Sequence, residues 1–354
     1  MELGSEFNLS LSELTVKKNN IFTFLSEYNN VIYFDSGRSA LRHISSYIKP
    51  GEEILLPEFI CESVTGCFRE EDIRFYRLYN EFTIDIGDLK KKISANTRII
   101  FLMHYFGKVQ QEKILNELKS IAVEHGCIII EDTTHSIFSN SGTVGDYQIC
   151  SIRKWLPIPK GGMLYAQDDK LGVYESKKYG ISTDNERTYG MVLKDMFLKN
   201  GFDCNETYRH IFSCCEERLD KQEEIFFISD LARYIATCVG IDELIEVRTN
   251  NYLHLRSALN EKGITYAVTL KEKECPLVLP IWVKERDHFR SYLMDNRVYC
   301  AVHWPFDGKQ EEQRPFAKKC AKYMISLPID QRYGQEEINY LIDVISRYGG
   351  DLLF

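Results

Sequence analysis

Two adjacent acidic residues stand at the end of a short apolar segment. The segment reads Cys-Ile-Ile-Ile from Cys127 and continues into Glu131 and Asp132. A carboxylate at the end of a buried strand is costly unless a charged partner accompanies it. Asp132 therefore needs a cation, and the protonated pyridine nitrogen of a cofactor ring is one candidate. A helix cap, a metal ligand or a ribose ligand would fit the dipeptide equally well.

A lysine with aromatic and proline neighbours follows downstream. Lys154 stands in the run Ser-Ile-Arg-Lys-Trp-Leu-Pro-Ile-Pro-Lys-Gly-Gly, which begins at Ser151. A lysine that loses water in such surroundings has a lowered pKa and becomes an amine nucleophile and general base. A surface lysine in a loop is the alternative interpretation of the same residues.

A third segment, Asp-Ser-Gly-Arg-Ser-Ala, connects a predicted strand to a predicted helix and contains Gly37. Exposed backbone N–H groups and the helix dipole suit a phosphate at such a place. Gly37 permits the close approach of a ligand. The segment is neither a GxGxxG motif nor a P-loop, so it is equally consistent with a plain strand-to-helix turn.

The elements that position these residues alternate between strands and helices. Short apolar strands are predicted at 31–34, 54–56, 98–104 and 127–130, with amphipathic helices between them. Continuous apolar strands separated by helices indicate a mostly parallel sheet with helices on both faces, and ligands of such sheets collect at the carboxyl ends of the strands. The pattern from 170 to 224 predicts no definite element.

The fold class is therefore predicted as α/β, and the 354 residues suit a large domain and a smaller one. The large domain is predicted at 1–235, with residues 1–20 at its periphery. The small C-terminal domain, predicted at 236–354, mixes strands with helices and is expected to be α+β.

Composition excludes several classes of function. The 44 Lys and Arg residues stand against 52 Asp and Glu, a net charge of −8, which does not favour nucleic acid as a partner. The apolar runs are far shorter than a membrane span, and the chain opens with no secretory leader, so a cytoplasmic protein is expected. Eleven scattered cysteines without a CxxC pair fit neither a disulfide framework nor a metal site.

Taken in order, the three segments resemble the cofactor motifs of the DegT/DnrJ/EryC1/StrS family. Members of this family are pyridoxal-phosphate-dependent sugar aminotransferases with the aspartate aminotransferase fold, fold type I. The resemblance covers residues 30–165 well and extends more loosely to the C-terminus. It implies pyridoxal 5′-phosphate as cofactor, glutamate as amino donor, a nucleotide-linked keto sugar as acceptor, and a homodimer with shared active sites.

The resemblance also implies how the cofactor is held. The backbone amides of Arg38 and Ser39, which follow Gly37, and the hydroxyl of Ser151 would bind the phosphate. Asp132 would pair with the pyridine nitrogen.

The same comparison implies that Lys154 is the Schiff-base lysine. The spacing from Ser151 to Lys154 is two residues shorter than in typical members. Lys160 stands where many members have an acid, and it is the alternative lysine.

Other positions match the family less closely. His135 stands where the family has a Gln or His near the ring hydroxyl, and Cys61 occupies the position of a ring-stacking aromatic. His104 is another candidate ring contact, or a core histidine at a strand end. The run His-Trp-Pro at 303–305 resembles a His-Tyr-Pro region near the substrate. The family's Asn-Tyr-Arg segment is not recognisable between 170 and 231.

Three other functions are weighed against the aminotransferase. The family also contains sugar dehydratases in which histidine replaces the lysine, and Lys154 argues against that reaction. A non-catalytic binding or regulatory module is suggested by the shortened lysine loop and by Arg153 and Lys160 around it. A nicotinamide dehydrogenase fits poorly, because the first strand-turn-helix lacks the glycine fingerprint.

Overall fold

A computed structural model of the chain describes residues 2–139, 143–174, 178–306, 308 and 311–352. The fold is α/β, as predicted. It divides into two compact units, of which the first comprises Met1–Ser5, Ile48–Tyr147 and Ile245–Phe354, and the second Glu6–Tyr47 and Gln148–Leu244.

The first unit contains a parallel sheet. The strands and the helices that connect them are β3 (Glu53–Pro57), α3 (Glu62–Thr65), β4 (Ile73–Tyr76), α4 (Ile86–Lys92), β5 (Thr97–Met103), α5 (Glu112–His125) and β6 (Ile128–Asp132). The strand order is β4-β3-β5-β6, and every neighbouring pair is parallel. All residues of β5 except Arg98 are buried, because the continuous apolar run 99–103 is covered on both faces.

The C-terminal part of the first unit adds helices and two short sheets. The elements are β1 (Leu3–Gly4), α9 (Ile241–Asn260, which begins in the second unit), β11 (Leu279–Trp282), α10 (Arg286–Asp295), β12 (Val298–Tyr299), α11 (Pro315–Tyr323), β13 (Met324–Leu327) and α12 (Gln335–Ser346). The strand β11 pairs antiparallel with β13, and β1 pairs parallel with β12.

A buried carboxylate joins this part to the parallel sheet. Glu58, directly after β3, is fully buried and accepts hydrogen bonds from the backbone N–H of Leu78 at 2.8 Å and of Phe316 at 2.7 Å. Phe316 lies in the first turn of α11, where the helix dipole favours a negative charge. The predicted domains, 1–235 and 236–354, divide the chain differently from the two units, because residues 245–354 pack with 48–147. A division at 235 stays a prediction.

Within the described ranges, five strands and five α-helices belong wholly or mostly to the second unit. They are α1 (Ile21–Phe24), β2 (Ile32–Phe34), α2 (Gly37–Ser45), β7 (Tyr147–Cys150, which begins at the last residue of the first unit), β8 (Gly162–Ala166), β9 (Gly180–Ile181), α6 (Asn185–Asn200), α7 (Asn205–Lys221), β10 (Phe226–Phe227) and α8 (Asp230–Thr237). The strand order is β7-β8-β2-β10-β9. The strand β2 is antiparallel to β8 and to β10, and β10 is parallel to β9.

The segment without a predicted element, 170–224, holds two long helices, α6 and α7. The buried positions of α6 include the charged residues Arg187 and Lys194, and those of α7 are Tyr208 and Phe212, so the apolar periodicity of both helices is weak. None of the helices in the described ranges is long and apolar enough to cross a membrane.

Candidate active site

Asp132 is the last residue of β6 and lies at the carboxyl end of the parallel sheet. Its side chain is buried, and its Oδ1 accepts a hydrogen bond from the backbone N–H of Thr134 at 2.8 Å. Burial raises the pKa of Asp132 to about 6, against the opposing effect of the Thr134 hydrogen bonds. No lysine or arginine within the described ranges forms an ion pair with this carboxylate. A protonated ring nitrogen would supply the missing cation.

The neighbouring Glu131 has a different environment. Its Oε1 lies 2.8 Å from Nε2 of His104, and its Oε2 accepts hydrogen bonds from the backbone N–H of Val144 at 3.0 Å and of Gly145 at 2.8 Å. Burial alone would raise the pKa of Glu131, but these hydrogen bonds outweigh it and hold the pKa below its usual value. Glu131 is therefore an ionised structural anchor beside Asp132.

His104 is engaged through both ring nitrogens. Its Nδ1 accepts a hydrogen bond from the backbone N–H of Gln110 at 3.2 Å, and its Nε2 faces Glu131. Because Nδ1 accepts, Nε2 carries a proton and donates it in the hydrogen bond to Oε1 of Glu131. The structure thus gives His104 the position of a buried histidine that orients Glu131. Its predicted contact with a cofactor ring stays a prediction.

His135 belongs to a cluster of aromatic rings in the first unit. Its ring lies 5.7 Å from that of Trp304, nearly parallel at 23°, and 5.6 Å from that of His303. The ring of Phe106 belongs to the same cluster and lies 5.1 Å from that of His135. The structure therefore brings His135 together with two residues of the predicted substrate region. Phe106 was not predicted, although it follows the end of β5 in a Tyr-Phe-Gly run.

Cys61 occupies the position before α3 and is half-buried. The hydroxyl of Ser63 lies 3.0 Å from its sulfur. The nearest aromatic residue in sequence, Phe59, is buried, and its ring lies 4.8 Å from that of Trp304. A thiol at position 61 offers a small polarisable surface rather than a stacking ring.

The second unit holds the predicted phosphate residues. Gly37 begins α2, and the hydroxyl of Ser36 caps the helix by accepting a hydrogen bond from the backbone N–H of Ser39 at 3.0 Å. A Cβ atom on Gly37 would lie 3.3 Å from Cβ of Ser151, so the two segments are close neighbours. We name residues 36–39 together with Ser151 the phosphate cradle.

Arg38 contributes backbone rather than charge to the cradle. Its guanidinium forms an ion pair with Asp220 at 2.8 Å and donates to the backbone carbonyl of Leu219. The side chain is thereby directed at α7, and its backbone N–H belongs to the first turn of α2, the end at which the helix dipole favours an anion.

The two candidate lysines differ in their surroundings. Lys154 is exposed in a short 3-10 helix, Ile152–Lys154. Lys160 is partly buried, and its Nζ lies 3.7 Å from Oδ2 of the fully buried Asp35. Lys160 therefore has a buried carboxylate as partner, and the charge of Lys154 acts on the carboxyl groups of Glu6 and Glu216. The exposed position of Lys154 differs from the water-poor surroundings that the sequence predicts. The choice of Lys154 over Lys160 as the Schiff-base lysine stays a prediction.

A charge network surrounds the loop of Lys154. Arg153 forms an ion pair with Glu216 at 2.6 Å, and Arg187 contacts both Glu216 and Glu6. Burial would raise the pKa of Glu216, but Arg153 and Arg187 outweigh it and lower the pKa to about 2. Sequence reasoning missed Glu6, Arg187 and Glu216. Of this network, the sequence singled out only Arg153, which stands beside Lys154.

The described residues fit pyridoxal 5′-phosphate. A buried carboxylate without a lysine or arginine partner suits the pyridine nitrogen, and a helix start beside a serine hydroxyl suits the phosphate. No group of three or more potential metal ligands occurs in the part of the chain that the structure describes.

Comparisons with known proteins point to one family. A sequence model of the DegT/DnrJ/EryC1/StrS aminotransferase family matches residues 45–346. A dTDP-3-amino-3,6-dideoxy-alpha-D-galactopyranose transaminase of Aneurinibacillus thermoaerophilus is 22% identical over 84% of this chain and 79% of its own length. A protein named pleiotropic regulatory protein of Geobacillus stearothermophilus is 21% identical over 85% of this chain and 79% of its own.

The solved structures agree with the fold. Helicobacter pylori PseC, an aminotransferase involved in the biosynthesis of pseudoaminic acid, superposes with a TM-score of 0.68 at 16% identity and covers 98% of this chain and 99% of its own. The predicted fold type is thereby confirmed. The predictions of an aminotransferase and of pyridoxal 5′-phosphate as its cofactor are confirmed as well. Because the family model matches most of its length, the chain belongs to the DegT/DnrJ/EryC1/StrS aminotransferase family.

Proposed function

We propose that this aminotransferase transfers an amino group from glutamate to a keto sugar that is attached to a nucleotide. The observation that carries the cofactor chemistry is Asp132, a buried carboxylate at a strand end without a lysine or arginine partner within the described ranges. The sugar acceptor is supported by the family and by the relative from Aneurinibacillus, which is named a transaminase of a dTDP-linked amino sugar.

Pyridoxal 5′-phosphate, when bound, supplies an electron sink for the carbanion that forms at the donor carbon. Asp132 would keep the pyridine nitrogen protonated, because a buried carboxylate acts on a cation through a medium of low dielectric constant. The anchored pair of Glu131 and His104 holds the end of β6 in place.

The phosphate cradle would bind the cofactor phosphate through the backbone N–H groups of Gly37 and Arg38 and through the hydroxyl of Ser151. The N–H of Ser39 already donates to Ser36, so its share is smaller. The helix dipole of α2 adds a favourable field for an anion.

Lys154 would hold the cofactor covalently, and its amine would move the proton between the donor and cofactor carbons. The support is the family resemblance, which places the lysine at Lys154, and the ion pair of Lys160 with Asp35. Glu6 and Glu216 carry negative charge near Lys154, whose positive charge lowers the pKa of both carboxyls. His135 and Trp304 would contact the ring hydroxyl and the substrate.

We also propose a homodimer with shared active sites and a cytoplasmic location. The dimer follows from the family resemblance, and the location from the many cysteines, of which those in the described ranges are free thiols.

The test is the visible absorption spectrum with added pyridoxal phosphate, before and after glutamate, for the wild type, Lys154→Ala and Lys160→Ala. At saturating pyridoxal phosphate, we expect a band of lysine-bound cofactor that glutamate bleaches in the wild type and in Lys160→Ala, but that Lys154→Ala does not form. A band that persists in Lys154→Ala and is lost in Lys160→Ala would transfer the role to Lys160.

A regulatory module is the second candidate, and the 21% identical relative named a pleiotropic regulatory protein favours it. Absence of a band in all three proteins, together with no lysine adduct after borohydride reduction, would favour this module. A wild-type band that glutamate does not bleach, with turnover of a hydroxylated nucleotide sugar, would favour the dehydratase reaction.

A further inference from the structure

Asp35 lies immediately before the phosphate cradle and has four polar partners in the second unit. Its side chain is fully buried. Its Oδ1 accepts hydrogen bonds from the hydroxyls of Ser39 at 2.6 Å and Ser36 at 3.2 Å. Its Oδ2 accepts a hydrogen bond from Nε2 of Gln222 at 3.0 Å and lies 3.7 Å from Nζ of Lys160. Asp35 therefore orients both hydroxyls at the start of α2.

A carboxylate at this place creates an electrostatic conflict. The proposed ligand of the cradle is a phosphate, and two anions close together in a region of low dielectric constant repel each other. A second buried carboxylate, Asp184, accepts hydrogen bonds from the hydroxyls of Ser182 and Ser229. Burial raises the pKa of Asp184, and of the neighbouring charges Lys160 lowers this pKa and Asp35 raises it. The second unit thus places two buried carboxylates around one ammonium group.

The glycines after Lys160 explain how the ammonium reaches Asp35. A Cβ atom on Gly162 would lie 2.2 Å from the carbonyl carbon of Ser36 and 2.5 Å from the backbone nitrogen of Gly37. Only a glycine allows the start of β8 to pass so close to the start of α2. Lys160 stands two residues before this contact, so its position is fixed relative to the cradle.

We propose that Lys160 is a positioning residue for the cofactor phosphate, in that its ammonium neutralises Asp35 and lets this carboxylate hold Ser36 and Ser39 without repelling the phosphate. The inference rests on the proposed function, because it takes the cradle to bind the phosphate of pyridoxal phosphate. Lys160 acts through Asp35 and has no covalent role.

The test compares two ligands that differ only in the phosphate. Binding of pyridoxal 5′-phosphate and of pyridoxal is titrated to the wild type, Lys160→Met, Asp35→Asn and the double variant. We expect Lys160→Met to weaken pyridoxal phosphate binding by about tenfold or more, since it leaves one uncompensated buried charge, and to leave pyridoxal binding within about twofold of wild type. The double variant should recover most of the loss, because it removes the repelling charge as well.

The outcomes separate this inference from the proposed function. A wild type that does not bind pyridoxal phosphate would contradict the proposed function. A wild type that binds it while Lys160→Met binds it equally well, or loses pyridoxal to the same extent, would overturn the role of Lys160. If Lys160→Met does not fold, pyridoxal phosphate binding by Lys160→Arg and by the double variant tests the role of Lys160 instead. The proposal expects both to bind pyridoxal phosphate within about threefold of wild type, and loss in the double variant alone would refute it.

Discussion

The Nε2 atom of His104 lies 2.8 Å from Oε1 of Glu131, and both side chains are almost completely buried. Directly beside this pair, Asp132 is also buried, and within the described ranges no lysine or arginine forms an ion pair with it. Two adjacent carboxyl groups at the end of one strand therefore have pKa values shifted in opposite directions, Glu131 downward and Asp132 upward to about 6. Such a separation is consistent with different tasks for the two groups, and the pairing of Asp132 with the pyridine nitrogen stays a prediction.

Glu131→Gln should destabilise the protein by about 2 kcal/mol. The carboxylate accepts hydrogen bonds at both oxygens, whereas the amide of glutamine has one oxygen and one NH2 group. The NH2 group would face another donor, either the N–H groups of Val144 and Gly145 or the Nε2–H of His104. Urea denaturation measures the loss, and Glu124→Gln on the exposed face of α5 is the control. Since the pKa of Glu131 is lower in the folded state, its contribution is full above about pH 4.5 and falls as the pH decreases below that value. A loss no larger than that of the control would contradict the anchor.

Asp132→Asn should stabilise the cofactor-free protein at pH 8 by on the order of 2–3 kcal/mol. The folded-state pKa of about 6 lies above the usual value of 3.8, so the ionised carboxylate is a cost that is full above pH 6 and disappears below pH 3.8. Urea denaturation at pH 8 and pH 4 should show the gain only at the higher pH. The same variant should lose the glutamate half-reaction, and equal or lower stability at pH 8 would refute the account of Asp132.

Gly162→Ala should abolish cofactor binding or folding. The added methyl group would lie 2.2 Å from the carbonyl carbon of Ser36, and backbone atoms cannot yield as a flexible side chain can. The control is Gly349→Ala, where the added atom meets nothing within 4 Å. Thermal unfolding and pyridoxal phosphate titration of both variants provide the measurement. Normal binding by Gly162→Ala would mean that β8 does not pass as close to α2 as described.

Arg187→Met should cost on the order of 2 kcal/mol, because it removes the cation between Glu6 and Glu216. The guanidinium is nearly buried, whereas both carboxylates are partly exposed, and water screens part of the loss. Arg74→Met is the matched control, since Arg74 pairs with Glu53 at 3.2 Å on the surface and should cost less than about 1 kcal/mol. Equal losses in urea denaturation would show that the network is a set of ordinary surface pairs.

Local patterns in the sequence determined the fold class, the parallel strands and the positions of the three cofactor segments. A buried strand such as 98–104 is recognised from its own residues, and Asp132 follows directly from the strand before it. The family and the class of activity follow from three short motifs in order, and both are confirmed. The roles of the individual site residues stay predictions.

Only the tertiary structure decided which charged groups meet. The pairs of Lys160 with Asp35 and of Arg187 with Glu6 join residues more than a hundred positions apart, and no periodicity encodes such contacts. The same reason hid α6, whose buried positions include Arg187 and Lys194, and both residues have Glu6 as a distant partner. The helix α7 buries only two aromatic side chains of its 17 residues, so its apolar pattern is sparse. Short-range hydrophobic spacing is written in neighbouring residues, whereas the compensation of buried charge depends on which segments the fold brings together.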